Sequence, residues 1–359
     1  MNKNDEVSQR FLRLPTNDGA IIDILIVPQT INHIVHEAPY TGCSVALLLS
    51  LDEENIAILA EFSDYIEPKT FNNIVNDGPL AGQSLPFRLS LTSAGIRFLI
   101  SNKNKCGLII NNDSLNAIVT NGDYAGQCIL YQLAGSFLGL ELLKTIHEER
   151  GLQINEQALN TLTPNGQSLL FNFARSDEGI KIISDIYKAN GLKINEKTLN
   201  SLDNEGRSII FLLAANNAGI RLLTDILHRY GYKINKITLN AIVTRINCYG
   251  QSIALRLALD NLGLKLFCEN EYELGLNINA ECLNFIVPNS GGYSTAFALC
   301  DTEDGRIVIF AKDGKLKNMI NSITYSHPVI QGPNNFISSV EYLICDKNKY
   351  KVTPKKLRQ

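Results

Sequence analysis

One phrase, T-L-N-x-I-V in approximate form, constrains this chain more than any other feature. Its asparagine falls at Asn32, Asn72, Asn116, Asn160, Asn200, Asn240 and Asn284, at intervals of 40, 44, 44, 40, 40 and 44 residues. A second phrase, Gly-x-Ser before an apolar run, keeps step with it. It reads Gly42-Cys43-Ser44, Gly82-Gln83-Ser84, Gly126-Gln127-Cys128, Gly166-Gln167-Ser168, Gly206-Arg207-Ser208, Gly250-Gln251-Ser252 and Gly292-Tyr293-Ser294. A third closes most copies, as in Gly151-Leu152-Gln153-Ile154-Asn155, Gly191-Leu192-Lys193-Ile194-Asn195, Gly231-Tyr232-Lys233-Ile234-Asn235 and Gly275-Leu276-Asn277-Ile278-Asn279. Three phrases in a fixed order predict a tandem array, in which each copy buries its apolar face against its neighbours.

Each phrase has a local reading. Ser208 follows a turn glycine and precedes Ile209-Ile210-Phe211-Leu212-Leu213-Ala214, which predicts a helix N-cap. Cys128 breaks that pattern and is expected to cap poorly. Three columns descend through these helices: Leu47, Phe87, Tyr131, Phe171, Phe211, Leu255, Phe297; Leu49, Leu89, Leu133, Phe173, Leu213, Leu257, Leu299; and the small Ser50, Ser90, Ala134, Ala174, Ala214, Ala258, Cys300. Large residues fill the core and small ones permit close helix approach. A second helix opens around Ala218-Gly219-Ile220-Arg221-Leu222-Leu223 and ends at Gly231, a left-handed C′ candidate. Asn235 then caps a third, shorter helix carrying the T-L-N phrase.

The run from Asn204 to Ala215, with Gly219, Leu222-Leu223 and Gly231 to Asn235, resembles an ankyrin repeat, whose pattern is D-G-x-T-P-L-H-x-A-A, a helix pair, then G-A-D-V-N. The resemblance touches residues 28–300. It departs in period, 40 to 44 residues here against about 33 for ankyrin, because of the added T-L-N helix, and S-L-L-F or S-I-I-F replaces T-P-L-H. A three-helix repeat of armadillo or HEAT length is the competing description. The expected fold is an all-α solenoid of about seven ankyrin-like helical repeats, with residues 1–27 as N-terminal cap and 301–359 as C-terminal cap and basic tail. Within that last segment a helix is expected from Asn335 to Cys345. The Asn- and Ile-rich, Trp-free style also resembles secreted effectors of intracellular bacterial pathogens.

Composition narrows the compartment and the partner. The 33 basic and 36 acidic side chains give a net charge of −3, which disfavours nucleic acid. Eight scattered cysteines without a C-x-x-C pair disfavour zinc ribbons and redox dithiols and fit a reducing cytosol. The start lacks a basic region followed by an apolar one, and the stretch from Ala20 to Val27 is far shorter than the about 20 apolar residues of a membrane span. A cytoplasmic protein is expected, delivered into a host cytosol by a non-Sec route if it is an effector.

Among candidate sites, the asparagine column reads as a structural ladder, an amide per copy satisfying backbone groups. A column in the second helices, Arg97, Glu141, Lys181, Arg221, Lys265 and Arg306, is mostly cationic and suits either a solvated face or an acidic partner. The variable column Leu48, Arg88, Gln132, Asn172, Leu212, Arg256 and Ala298 is expected to face outward or line a groove. Its arginines are the best anchors, since Arg is enriched at hot spots. His33 and His36 beside Cys43 lack a fourth ligand, so no metal or cofactor is expected. Cys345 and His327 lie outside the copies and supply the alternative, a cysteine enzyme whose repeats read its substrate. Lys355-Lys356-Leu357-Arg358 resembles a nuclear import signal, against the plainer reading of a solvated tail. The leading expectation is a non-catalytic scaffold or adaptor that binds another protein, such as a host protein, in its groove.

Overall fold

The computed structural model describes residues 10–102, 108–269, 277–288, 290–331 and 336–345. The described chain is mostly helical, with two small antiparallel strand pairs. It divides into two compact bodies, Met1–Thr198 and Leu199–Gln359, and the same elements recur in the same order within each.

The first body opens on a hairpin of β1 (Phe11–Pro15) and β2 (Ile21–Leu25), with Arg13 opposite Asp23. Leu12 and Leu14 point inward. Alternation in L-R-L-P, with Leu12 and Leu14 buried, is the period-two pattern of a half-buried strand.

Short first helices follow: Val45–Leu49, Leu85–Leu89, Ile129–Ala134 and Leu169–Phe173 in the first body, Ile209–Leu213, Ile253–Ala258 and Thr295–Cys300 in the second. Ser44, Ser84, Ser168, Ser208, Ser252 and Ser294 each accept the backbone N–H three residues on, at 3.1–3.4 Å. Cys128 makes no such bond. The three columns are buried, except that Tyr131 is partly exposed and donates its hydroxyl to Gln167 Oε1 at 2.9 Å.

Second helices such as Phe137–Arg150, Asp177–Asn190 and Asn217–Tyr230 are longer. Six of the second helices, all but Ile56–Glu61 of the first copy, meet their first helix at a glycine: Gly95, Gly139, Gly179, Gly219, Gly263 and Gly305. An added Cβ there would lie 2.1–2.3 Å from the carbonyl oxygen of Leu89, Leu133, Phe173, Leu213, Leu257 or Leu299. Only glycine permits that approach. Gly231 ends its helix in the left-handed region, φ +66°.

The two intervals of 40 and 44 residues have a local cause. Gly42, Gly82, Gly126 and Gly250 donate their N–H to Val35, Val75, Val119 and Val243, seven residues back; Gly166 and Gly206 donate to Thr163 and Asp203, three back. The four-residue difference in turn length equals the difference in period. The first interval stays at 40 despite its long turn because its second helix is only Ile56–Glu61.

The pattern continues beyond residue 300. The helix Glu303–Met319 is the seventh copy's second helix, and Asn321 caps Ser322–Ser326 through Thr324 N at 2.8 Å. There Thr324-Tyr325-Ser326 holds the place of T-L-N, and among the described residues the Ser326 hydroxyl bonds its own turn, at Ser322 O. The stretch expected as one helix from Asn335 to Cys345 differs. Asn335 lies outside the described residues, Phe336–Ser338 (β4) pairs with Val329–Gln331 (β3), and only Val340–Cys345 is helical. Ser339 Oγ accepts Tyr342 N at 3.1 Å, as the Gly-x-Ser serines do. The cap of Ser322–Ser326 and that of Val340–Cys345 thus follow the local hydrogen-bond pattern of the earlier third and first helices.

Candidate functional site

The asparagine column is engaged at every position. Asn72 Nδ2 donates to Ile109 O and Asn72 Oδ1 accepts Asn111 N, at 2.9 and 2.8 Å. The same two-point clamp, onto a carbonyl and the N–H two residues later, joins Asn116 to Gln153 and Asn155, and Asn160 to Lys193 and Asn195. It also joins Asn200 to Lys233 and Asn235, Asn240 to Asn277 and Asn279, and Asn284 to Met319 and Asn321. Asn32 holds Tyr65 O and Glu67 N. From Asn111 onward, the residue whose N–H is clamped is itself the N-cap of the next short helix. Both polar ends of each amide are therefore committed to backbone, leaving it little capacity for a ligand.

The variable column divides. Leu48, Asn172 and Ala298 are buried rather than outward, because a five-residue helix is little more than one turn and is packed on several sides. Asn172, 4 % exposed, donates to Tyr131 O at 2.8 Å. Gln132 and Leu212 are partly buried, and Gln132 Nε2 donates to Gln127 Oε1. Arg256 is tied on all sides. It donates to Phe211 O (2.9 Å), Gln251 Oε1 (3.0 Å) and Cys248 Sγ (3.4 Å) and lies 3.6 Å from the Phe211 ring centroid. Burial depresses its pKa, with Cys248 opposing.

Arg88 is placed differently. It is partly buried, its guanidinium carbon lies 5.7 Å from the centroid of Tyr124, and its Nε is buried without a partner. Burial lowers its pKa, and Tyr124 and Cys43 act the other way. Tyr124 itself stands on a long turn and meets Phe87 edge-on at 5.8 Å.

In the second-helix column Arg97, Lys181, Arg221 and Lys265 are exposed, with no ion pair to any described residue; Glu141 is exposed as well. Arg306 turns inward, 8 % exposed, and donates to Cys300 O at 2.7 Å.

Four of the described thiols are poor nucleophiles. Burial pushes Cys43 up to about 11 and Cys128 and Cys300 up to about 12, and it raises Cys282 as well. A thiol must ionise to attack. Cys248 is partly exposed. Cys345 ends its helix, and His327 packs its ring against Gly292. Cys106 and the tail lysines lie outside the described residues. His33 and His36 meet edge to face with ring centroids 6.3 Å apart, and among the described residues no three His, Cys, Asp or Glu gather as metal ligands. A cavity of about 130 Å³ lies between Leu99, Ile110, Leu142 and Ile146, well below the ~300–1,000 Å³ of small-molecule sites. No described helix is long and apolar enough to cross a membrane. Comparison with models of known protein families and with curated proteins finds no match.

Proposed function

We propose that this chain is a non-catalytic scaffold whose seven ankyrin-like repeats form one solenoid array and bind another protein. The carrying observation is the contrast between the two kinds of column. One amide clamp is the same in every copy, while Arg97, Lys181, Arg221 and Lys265 stand exposed without an anionic partner among the described residues. Unpaired surface cations at one helix position suit an acidic partner surface, where charge complementarity steers association. Burial keeps Cys43, Cys128, Cys282 and Cys300 protonated, which disfavours these four as nucleophiles. The resemblance to pathogen effectors extends the proposal to a partner in a host cytosol.

The test is affinity capture with the full chain, against a version carrying Arg97→Glu, Lys181→Glu, Arg221→Glu and Lys265→Glu. A protein captured in stoichiometric amount by the first and lost from the second supports the reading. Capture that ignores the reversal, or retention on RNA or DNA that falls steeply with salt, contradicts it.

A further inference from the structure

We infer that Arg88 is an anchor for an acidic side chain, an Asp or Glu carboxylate presented by a protein partner, with Tyr124 as the flank of the site. The inference rests on the scaffold reading and adds the chemical group that one contact recognises.

The described arginines that are not fully exposed are Arg88, Arg207, Arg245, Arg256 and Arg306. Arg207 pairs with Asp203 and Glu205, and Arg245 with Glu205. Arg256 and Arg306 donate to backbone carbonyls. Arg88 alone among them has no acceptor. Its Nε is buried without a partner, which is costly, and a carboxylate that takes two parallel N–H bonds is the strongest partner for a guanidinium.

The copies themselves show what is missing. In the third copy Gln127 bonds Gln132, and in the sixth Gln251 bonds Arg256 at 3.0 Å. In the second copy the same two places hold Gln83 and Arg88, and this bond is open. Gln83 is 2 % exposed with Oε1 unpartnered, and Arg88 Nε is unpartnered too. The fork of Arg88 is thus not tied down as that of Arg256 is. The Tyr124 ring centroid lies 5.7 Å from the Arg88 guanidinium carbon, a setting that favours Arg over Lys.

The experiment follows the Arg88 Nε–H resonance of the full-length, nitrogen-15-labelled chain during titration with a ten-residue oligoglutamate, and separately with oligoglutamine. The expected result is a shift with oligoglutamate alone, and affinity reduced at least five-fold in Arg88→Gln and partly in Arg88→Lys, at unchanged urea midpoints. An unmoved Arg88 resonance, an equal response to oligoglutamine, or undiminished binding by folded Arg88→Gln overturns the anchor. The resonance is read on the unaltered protein, so a variant that fails to fold does not remove the test. If the unaltered chain captures a protein and Arg88→Gln captures as much, the anchor falls and the scaffold stands. If the unaltered chain binds neither, both fall.

Discussion

Asn200 shows how much one side chain carries in this chain. It is buried, and its amide closes on Lys233 O at 2.9 Å and Asn235 N at 2.8 Å. Asn200→Ala leaves both backbone groups short of a partner, so a loss of about 1–3 kcal/mol is expected from urea unfolding. Asn200→Asp keeps the acceptor but not the donor and should also destabilise. The thiols give a second expectation. Cys128 and Cys300 sit near 12 in the fold, against about 8.5 for a free cysteine. The unfolded chain loses these protons first, so their contribution is whole below about pH 8.5 and drains away as pH climbs toward 12. Urea midpoints should fall over that range. A maleimide at pH 8 should spare Cys43, Cys128, Cys282 and Cys300 until urea is added, and labelling at the free-thiol rate would show these sites to be open. The amide column was legible in the sequence, but its partners were not, because they are backbone groups of the next copy with no residue-type signature.

At the scale of the element, capping and close approach make opposite predictions from equally small changes. Cys128→Ser restores the cap that six other copies have and should stabilise by about 1 kcal/mol. Gly219→Ala improves helix propensity by about 1 kcal/mol, yet its Cβ would lie 2.2 Å from Leu213 O. Overpacking should win, with a net loss of about 1–3 kcal/mol in the thermal or urea transition. Periodicity located the longer second helices because 14 residues, as in Asn217–Tyr230, are enough for a face to repeat. It misplaced Leu48, Asn172 and Ala298 of the variable column because helices such as Leu169–Phe173 are only five residues long and, in that case, buried throughout. The alternating L-R-L-P segment carried a strand signal that an all-helical expectation passes over. The run from Phe336 to Cys345 divides because β4 ends at Ser338 and the next residue, Ser339, caps the helix that follows.

The molecule as a whole combines an amide framework repeated from copy to copy with turns that change length. The period was plain in the sequence. Why it alternates was not, since turn length and helix length offset one another in the first copy and only hydrogen-bond partners reveal both. Nor did the phrases betray the capped short helix Ser322–Ser326, where Ser326 stands in the place of the asparagine. The central claim is that the copies are joined through their asparagine amides, and backbone hydrogen exchange reads it most directly. The N–H groups of Asn111, Asn155, Asn195, Asn235, Asn279 and Asn321 each donate to the Oδ1 of an asparagine in the preceding copy. These six should exchange slowly in the folded chain, and each should lose protection when its own clamping asparagine becomes alanine. Exchange of all six at the rate of an unstructured peptide, in a chain otherwise folded, would contradict the account.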